Sequence, residues 1–102
     1  MPGRIGAFCA VGNPESFFAS LRELGYDVGL ERAFADHHSY SPSDVEALNQ
    51  LAKETAANAL ITTAKDAVKL KGLTFALPCY VLEIEIMIDD AEGFLTQIKR
   101  IL

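Results

Sequence analysis

The chain has 102 residues, 50% of them hydrophobic and 23% charged, with a formal net charge of −5. That length supports one domain with one core, and the composition argues against disorder. A net acidic chain is a poor match for nucleic acid, whose phosphates need a basic surface, and no apolar run reaches the ~20 residues of a membrane span.

The first element is expected over Ile5–Val11, a run of apolar and small residues that reads as a strand buried on both faces. It follows the amino terminus so abruptly that a piece of a larger protein is expected. Gly12-Asn13-Pro14 breaks the strand and opens a helix. Phe17, Phe18, Leu21 and Leu24 share one face of that helix, and Gly25 ends it. Val28–Phe34 is the second strand. Ser41-Pro42-Ser43-Asp44 is a helix start, with Ser41 as N-cap, Pro42 at N1 and Asp44 at N3. Val45, Leu48, Leu51, Ala52 and Thr55 form the apolar face of that helix. Ala59–Thr62 is a short third strand, and Thr63–Leu70 a short helix. Phe75–Ile88 holds the last strand, where Leu82, Ile84 and Ile86 alternate with Val81, Glu83 and Glu85, a pattern expected of an edge strand or of a strand covered on one side. Asp89–Leu102 is expected to close the chain as a helix, with Phe94, Leu95, Ile98, Ile101 and Leu102 on one face. Strands alternating with helices predict an α/β fold: a small, mainly parallel sheet with helices packed on it, Rossmann-like and three-layered. One domain over residues 1–102 is expected. Cys9 and Cys79 lie in apolar surroundings and are expected as buried thiols in a reducing, cytosolic compartment.

In parallel βαβ units the strand-to-helix loops emerge along one edge, where open sheets bind ligands. Three polar loops qualify: Gly12-Asn13-Pro14, Asp36-His37-His38-Ser39-Tyr40, and Thr62-Thr63-Ala64-Lys65-Asp66. Asp36-His37-His38 is the densest titratable cluster. A histidine moves protons near neutral pH, and a neighbouring aspartate can fix its tautomer. Successive residues of an extended loop point different ways, so one histidine is expected to face a site. The competing reading is a solvated loop in which Asp36 caps backbone N–H groups. Metal binding is a third reading, since DHH phosphoesterases carry the same triplet. Their further Asp-rich motifs are missing here, and no metal ligand is assigned. Thr62, Thr63, Lys65 and Asp66 offer hydroxyls, a cation and a carboxylate suited to phosphate, and equally a capped helix start with Thr63 as N-cap and Asp66 at N3. Gly12 and Asn13 are either a phosphate contact or a tight turn. Neither G-x-x-x-x-G-K-[ST] nor G-x-G-x-x-G occurs in the chain.

The ordered set from Ala7 to Phe18, Leu24-Gly25, Phe34 to Tyr40, and Leu60 to Leu70 resembles the carboxyl-terminal part of the tetraacyldisaccharide 4′-kinase family, the lipid A 4′-kinases of Gram-negative bacteria. The resemblance runs from about Arg4 to at least Val81. The third motif departs from the family form in having Ala64 where glutamate is usual. The resemblance implies an ATP- and magnesium-dependent kinase of two α/β lobes that phosphorylates the 4′-hydroxyl of a lipid-linked disaccharide 1-phosphate in lipid A (lipopolysaccharide) biosynthesis. It implies that this chain is the second lobe, and that the P-loop and the membrane-associating segment belong to the first. It assigns catalytic roles to Asp36 and His37, with His37 pairing with a carboxylate of the first lobe, and leaves His38 as a loop neighbour. Gly12, Asn13, Thr62, Thr63, Lys65 and Asp66 are the candidate cofactor contacts. The expected partners are the P-loop lobe and, through the parent protein, the lipid disaccharide. The expected location is cytoplasmic, with the parent peripheral on the inner membrane. The lone lobe is expected to be inactive and to bind no cofactor tightly. The alternative is a small non-catalytic α/β module binding an anion at the carboxyl edge of its sheet.

Overall fold

The computed structural model describes residues 3–86 and 94–100. Strand β1 (Arg4–Cys9) is central and buried after its first residue. Its alternating side chains serve two layers. Ile5, Ala7 and Cys9 pack with Phe17, Phe18 and Leu21 of helix α1 (Pro14–Glu23). Phe8 packs on the other face with Leu48 and Ala52 of helix α2 (Pro42–Glu54). Gly6 is a point of close approach between side chains of the neighbouring strands: an added Cβ would stand 2.9 Å from Leu60 Cδ2 and 3.1 Å from Leu30 Cδ2.

The helices begin and end where local chemistry directs. Asn13 Oδ1 accepts from Ser16 N at 3.3 Å, and Pro14 opens α1. Gly25, at φ 92°, closes it, with Tyr26 N donating to Leu21 O at 3.1 Å and Gly25 N to Arg22 O at 2.9 Å. Ser41 caps α2 through a capping box with Asp44, as its sequence predicts. The same closing pair recurs at its far end, where Ala56 takes φ 59°.

Strand β2 (Asp27–Ala33) pairs parallel with β1 and forms one edge of the sheet; β3 (Ala59–Thr63) lies on the other side of β1. β4 (Cys79–Ile86) pairs parallel with β3. The chain moves one way from β1 to β2 and the other way from β2 to β3. Right-handed crossovers then put α1 and α2 on opposite faces, giving the expected three layers. Helix α3 (Ala64–Ala67) is a single turn after β3.

At the carboxyl end one expectation is corrected, and of the two readings of the last alternating strand the edge reading does not hold. Residues 94–100 form strand β5 (Phe94–Arg100), not a helix, and pair antiparallel with β4; residues 89–93 and 101–102 of the expected helix lie outside the described residues. Phe94 and Ile98, four apart, suit either period, and the open flank of β4 selects the extended form. β4 is therefore not the edge strand. β5 occupies that place, opposite β2 in the order β2-β1-β3-β4-β5. The four-stranded parallel part carries the helices and positions the site.

Candidate functional site

The sheet changes direction between β1 and β3, and loops leaving the two strands there part to opposite sides, the usual crevice of an open α/β sheet. All three polar loops meet at this end, around Asp36. Lys65 Nζ donates to Asp36 Oδ1 at 3.2 Å. An added Cβ on Gly12 would stand 3.6 Å from Asp36 Oδ2. His37 Nε2 is 3.8 Å from the same oxygen. The hydrogen bond from Lys65 holds the Asp36 carboxyl below the usual carboxylate range; desolvation opposes it, and the neighbouring His37 and Lys65 lower it further. The His37 side chain is 81% exposed, and its backbone is left-handed at φ 65°. That conformation is uncommon for a residue with a side chain, and histidine is among the types enriched in it.

His38 faces the other way. Its ring stacks on Phe34 at 4.7 Å between centroids, and Nε2 lies 2.8 Å from Asp44 Oδ2. Asp44 also accepts from Ser41 N at 2.9 Å, and the His38 contact is the largest influence lowering its pKa. The Arg32 guanidinium also lies over the Phe34 ring, 4.4 Å from its centroid. One histidine is thus packed into the fold and the other left in solvent.

Thr62 and Asp66, both candidate cofactor contacts, are fully buried. Thr62 Oγ1 donates to Phe8 O at 2.7 Å. Asp66 Oδ1 accepts from Tyr40 Oη at 3.1 Å and from Ala10 N at 3.1 Å; its Oδ2 accepts from Thr63 Oγ1 and, at 3.2 Å, from Ala10 N. Asp66 N donates back to Thr63 Oγ1 at 3.1 Å, so Thr63 caps α3 as expected, but the carboxylate is turned inward onto β1. Asn13 is the N-cap of α1. Of the six candidate contacts, Gly12, Asn13, Thr63 and Lys65 keep accessible surface, and Gly12 and Lys65 are the two placed beside Asp36.

Burial, with the Asp66 charge added, pushes the Cys9 thiol up to about 11, and burial alone pushes Cys79 up to about 12. Both are free thiols without nucleophilic character at neutral pH. Among the described residues no group of three His, Cys, Asp or Glu side chains could hold a metal ion, and no helix is long and apolar enough to cross a membrane. An open groove along α2, lined by Asn49, Lys53, Ala57 and Leu77, contains none of the residues above.

Sequence reasoning assigned no role to Ala10 or Tyr40. Ala10 acts through its backbone and leaves no signal. Tyr40 was visible as an aromatic at the end of the polar loop, and a buried phenol needs a partner.

A family model described as tetraacyldisaccharide-1-P 4′-kinase matches residues 2–102. The chain is 41% identical to a tetraacyldisaccharide 4′-kinase of Methylorubrum populi, over 97% of this chain and 30% of the relative. It is 35% identical to one of Koribacter versatilis over 97% of this chain and 31% of the relative. A third, of Nitrobacter winogradskyi, is 50% identical over 68% of this chain and 20% of the relative. The chain thus spans at most about a third of the length of these relatives.

Proposed function

Because the chain belongs to the tetraacyldisaccharide-1-P 4′-kinase family, we propose that it is the carboxyl-terminal lobe of an ATP- and magnesium-dependent lipid A disaccharide 4′-kinase. The observation that carries this reading is the family match over residues 2–102, in a chain that has no P-loop motif and spans 30% of the Methylorubrum relative. The parent transfers a phosphoryl group to the 4′-hydroxyl of tetraacyldisaccharide 1-phosphate, at the cytoplasmic face of the bacterial inner membrane.

Phosphoryl transfer depends chiefly on positioning and charge neutralisation. In this reading His37 offers an exposed imidazole to a carboxylate of the P-loop lobe, and Asp36 keeps its orientation. Lys65 offsets the Asp36 charge, so the edge presented to an anionic nucleotide is not itself strongly negative. Among the described residues no three His, Cys, Asp or Glu side chains gather into a metal site, and this reading assigns no magnesium ligand to the lobe.

The isolated chain should show no magnesium-dependent ATP hydrolysis or lipid phosphorylation, and turnover by it would end the incomplete-lobe reading. Tight binding of inorganic phosphate by the chain alone would favour a non-catalytic anion-binding module instead. In the full-length protein, His37→Ala should lower kcat about 10²-fold or more, the usual range for a lost proton-transfer group. Its Tm should stay near that of the parent, because the side chain touches little. Parallel loss of Tm and activity would point to a structural role.

A further inference from the structure

Short helix α3 and the turn that follows it are joined to the 36–40 loop at three places. Lys65 Nζ bonds Asp36 Oδ1 at 3.2 Å, Asp66 Oδ1 takes the Tyr40 hydroxyl at 3.1 Å, and Lys69 Nζ donates to the His38 carbonyl at 3.3 Å. The first link is about half-exposed and is weakened by solvent and salt. The Lys69 link is single and flexible. The middle link is buried: Asp66 is 0% exposed, and Tyr40 is wedged edge-on against Phe8 at 5.7 Å and Phe34 at 5.2 Å. The same carboxylate takes the Ala10 N–H, so it also fixes the loop that carries Gly12.

We infer that Asp66 and Tyr40 are positioning residues: their buried hydrogen bond holds the 36–40 loop against α3 and β1, so that His37 and Asp36 keep one orientation towards the reacting groups. This deepens the kinase reading and rests on it. Neither residue touches substrate. Asp66 needs all its acceptor capacity for Tyr40, Thr63 and Ala10, and its burial leaves no route for a ligand. Tyr40 has one proton to donate, and it is committed to Asp66. Burial, followed by the Asp66 charge, pushes the Tyr40 phenol far above its ordinary value, so it remains a donor at every physiological pH. The left-handed backbone of His37 lies three residues from Tyr40. Without the Tyr40–Asp66 bond the loop keeps the two lysine contacts and the His38–Asp44 bond, but its Tyr40 end loses the buried tie that constrains the backbone beyond His37.

The test is Tyr40→Phe, which removes the hydroxyl and keeps the ring in its aromatic nest, made in the full-length protein. The expected result is a kcat about tenfold lower with KM for ATP and lipid within about twofold, since small misplacements of reacting groups cost rate more than binding. Combined with His37→Ala, it should add little further loss, because the phenol acts through that imidazole. An unchanged kcat, or fully additive losses, would overturn the inference. Asp66→Asn is the harsher variant, because its amide would set a donor against a donor; Tyr40→Phe decides if that one does not fold. Amide chemical shifts of residues 36–38 in the Tyr40→Phe chain separate this inference from the kinase reading. If the wild-type full-length protein transfers no phosphate, the kinase reading fails by itself. Displaced shifts at 36–38 still support the anchored loop, and unmoved ones overturn it.

Discussion

His37 combines a left-handed backbone with a side chain that makes almost no contact, which is an unfavourable arrangement for stability alone. A non-glycine residue at φ 65° gives up about 1 kcal/mol. His37→Gly should therefore raise stability by about 0.5–1 kcal/mol in urea titration while removing the imidazole from the site; a destabilised His37→Gly would mean that the ring has a structural task. His38, beside it, is the reverse. Its partner Asp44 provides a pH signature. The hydrogen bond from His38, then contacts from Ser41, lower the Asp44 pKa below the usual carboxylate value. The unfolded chain then protonates first as pH falls. The stabilisation is complete above about pH 4–5 and is lost as pH drops through the folded value. Thermal denaturation of Asp44→Asn should show its deficit to wild type widest near neutrality and narrowing towards about pH 3. At this scale the sequence was informative about which residues gather and poor about which way they face. The cluster Asp36, His37, Lys65 follows from loop topology. The inward turn of Asp66 does not, because it depends on the Ala10 N–H being left without a strand partner where β1 ends.

Elements were legible where two local signals agreed. Proline at N1 with a capping serine or asparagine marks both long helices, and Gly25 marks the end of α1. The end of α2 had no such mark, since alanine occupies the left-handed position. Ala56→Gly should stabilise the chain by about 0.5–1 kcal/mol, read as a Tm gain of roughly 2–8 °C. An unchanged or lower Tm would show that glycine's extra freedom in the unfolded chain cancels the relief. The misread element is 94–100. Its FLTQIKR has an apolar residue at 94, 95 and 98, a spacing that fits a helix, and also β-branched Thr96 and Ile98 that suit a strand. Periodicity over seven residues cannot separate these; pairing with β4 does, and pairing is not a local property.

At the scale of the molecule, alternating elements were enough to predict three layers, and right-handed crossovers to place three polar loops on one edge. The order of the strands was beyond that reasoning, because it depends on which non-local pairings form. The arrangement explains why no turnover is expected of the chain alone: its candidate groups lie on an outward edge, with no enclosing wall among the described residues to exclude water. Strand β2 has a further consequence. Among the described residues its outer side has no partner strand, and such an edge is a template on which another chain's extended segment could dock. Against that hazard stand Asp27, bonded to Arg4, and Glu31, bonded to Arg22, with Arg32 folded over Phe34. Any strand that approached would have to strip water from these charges, so the charged rim that looks like ordinary surface also guards the protein against growing into fibres of its own sheet.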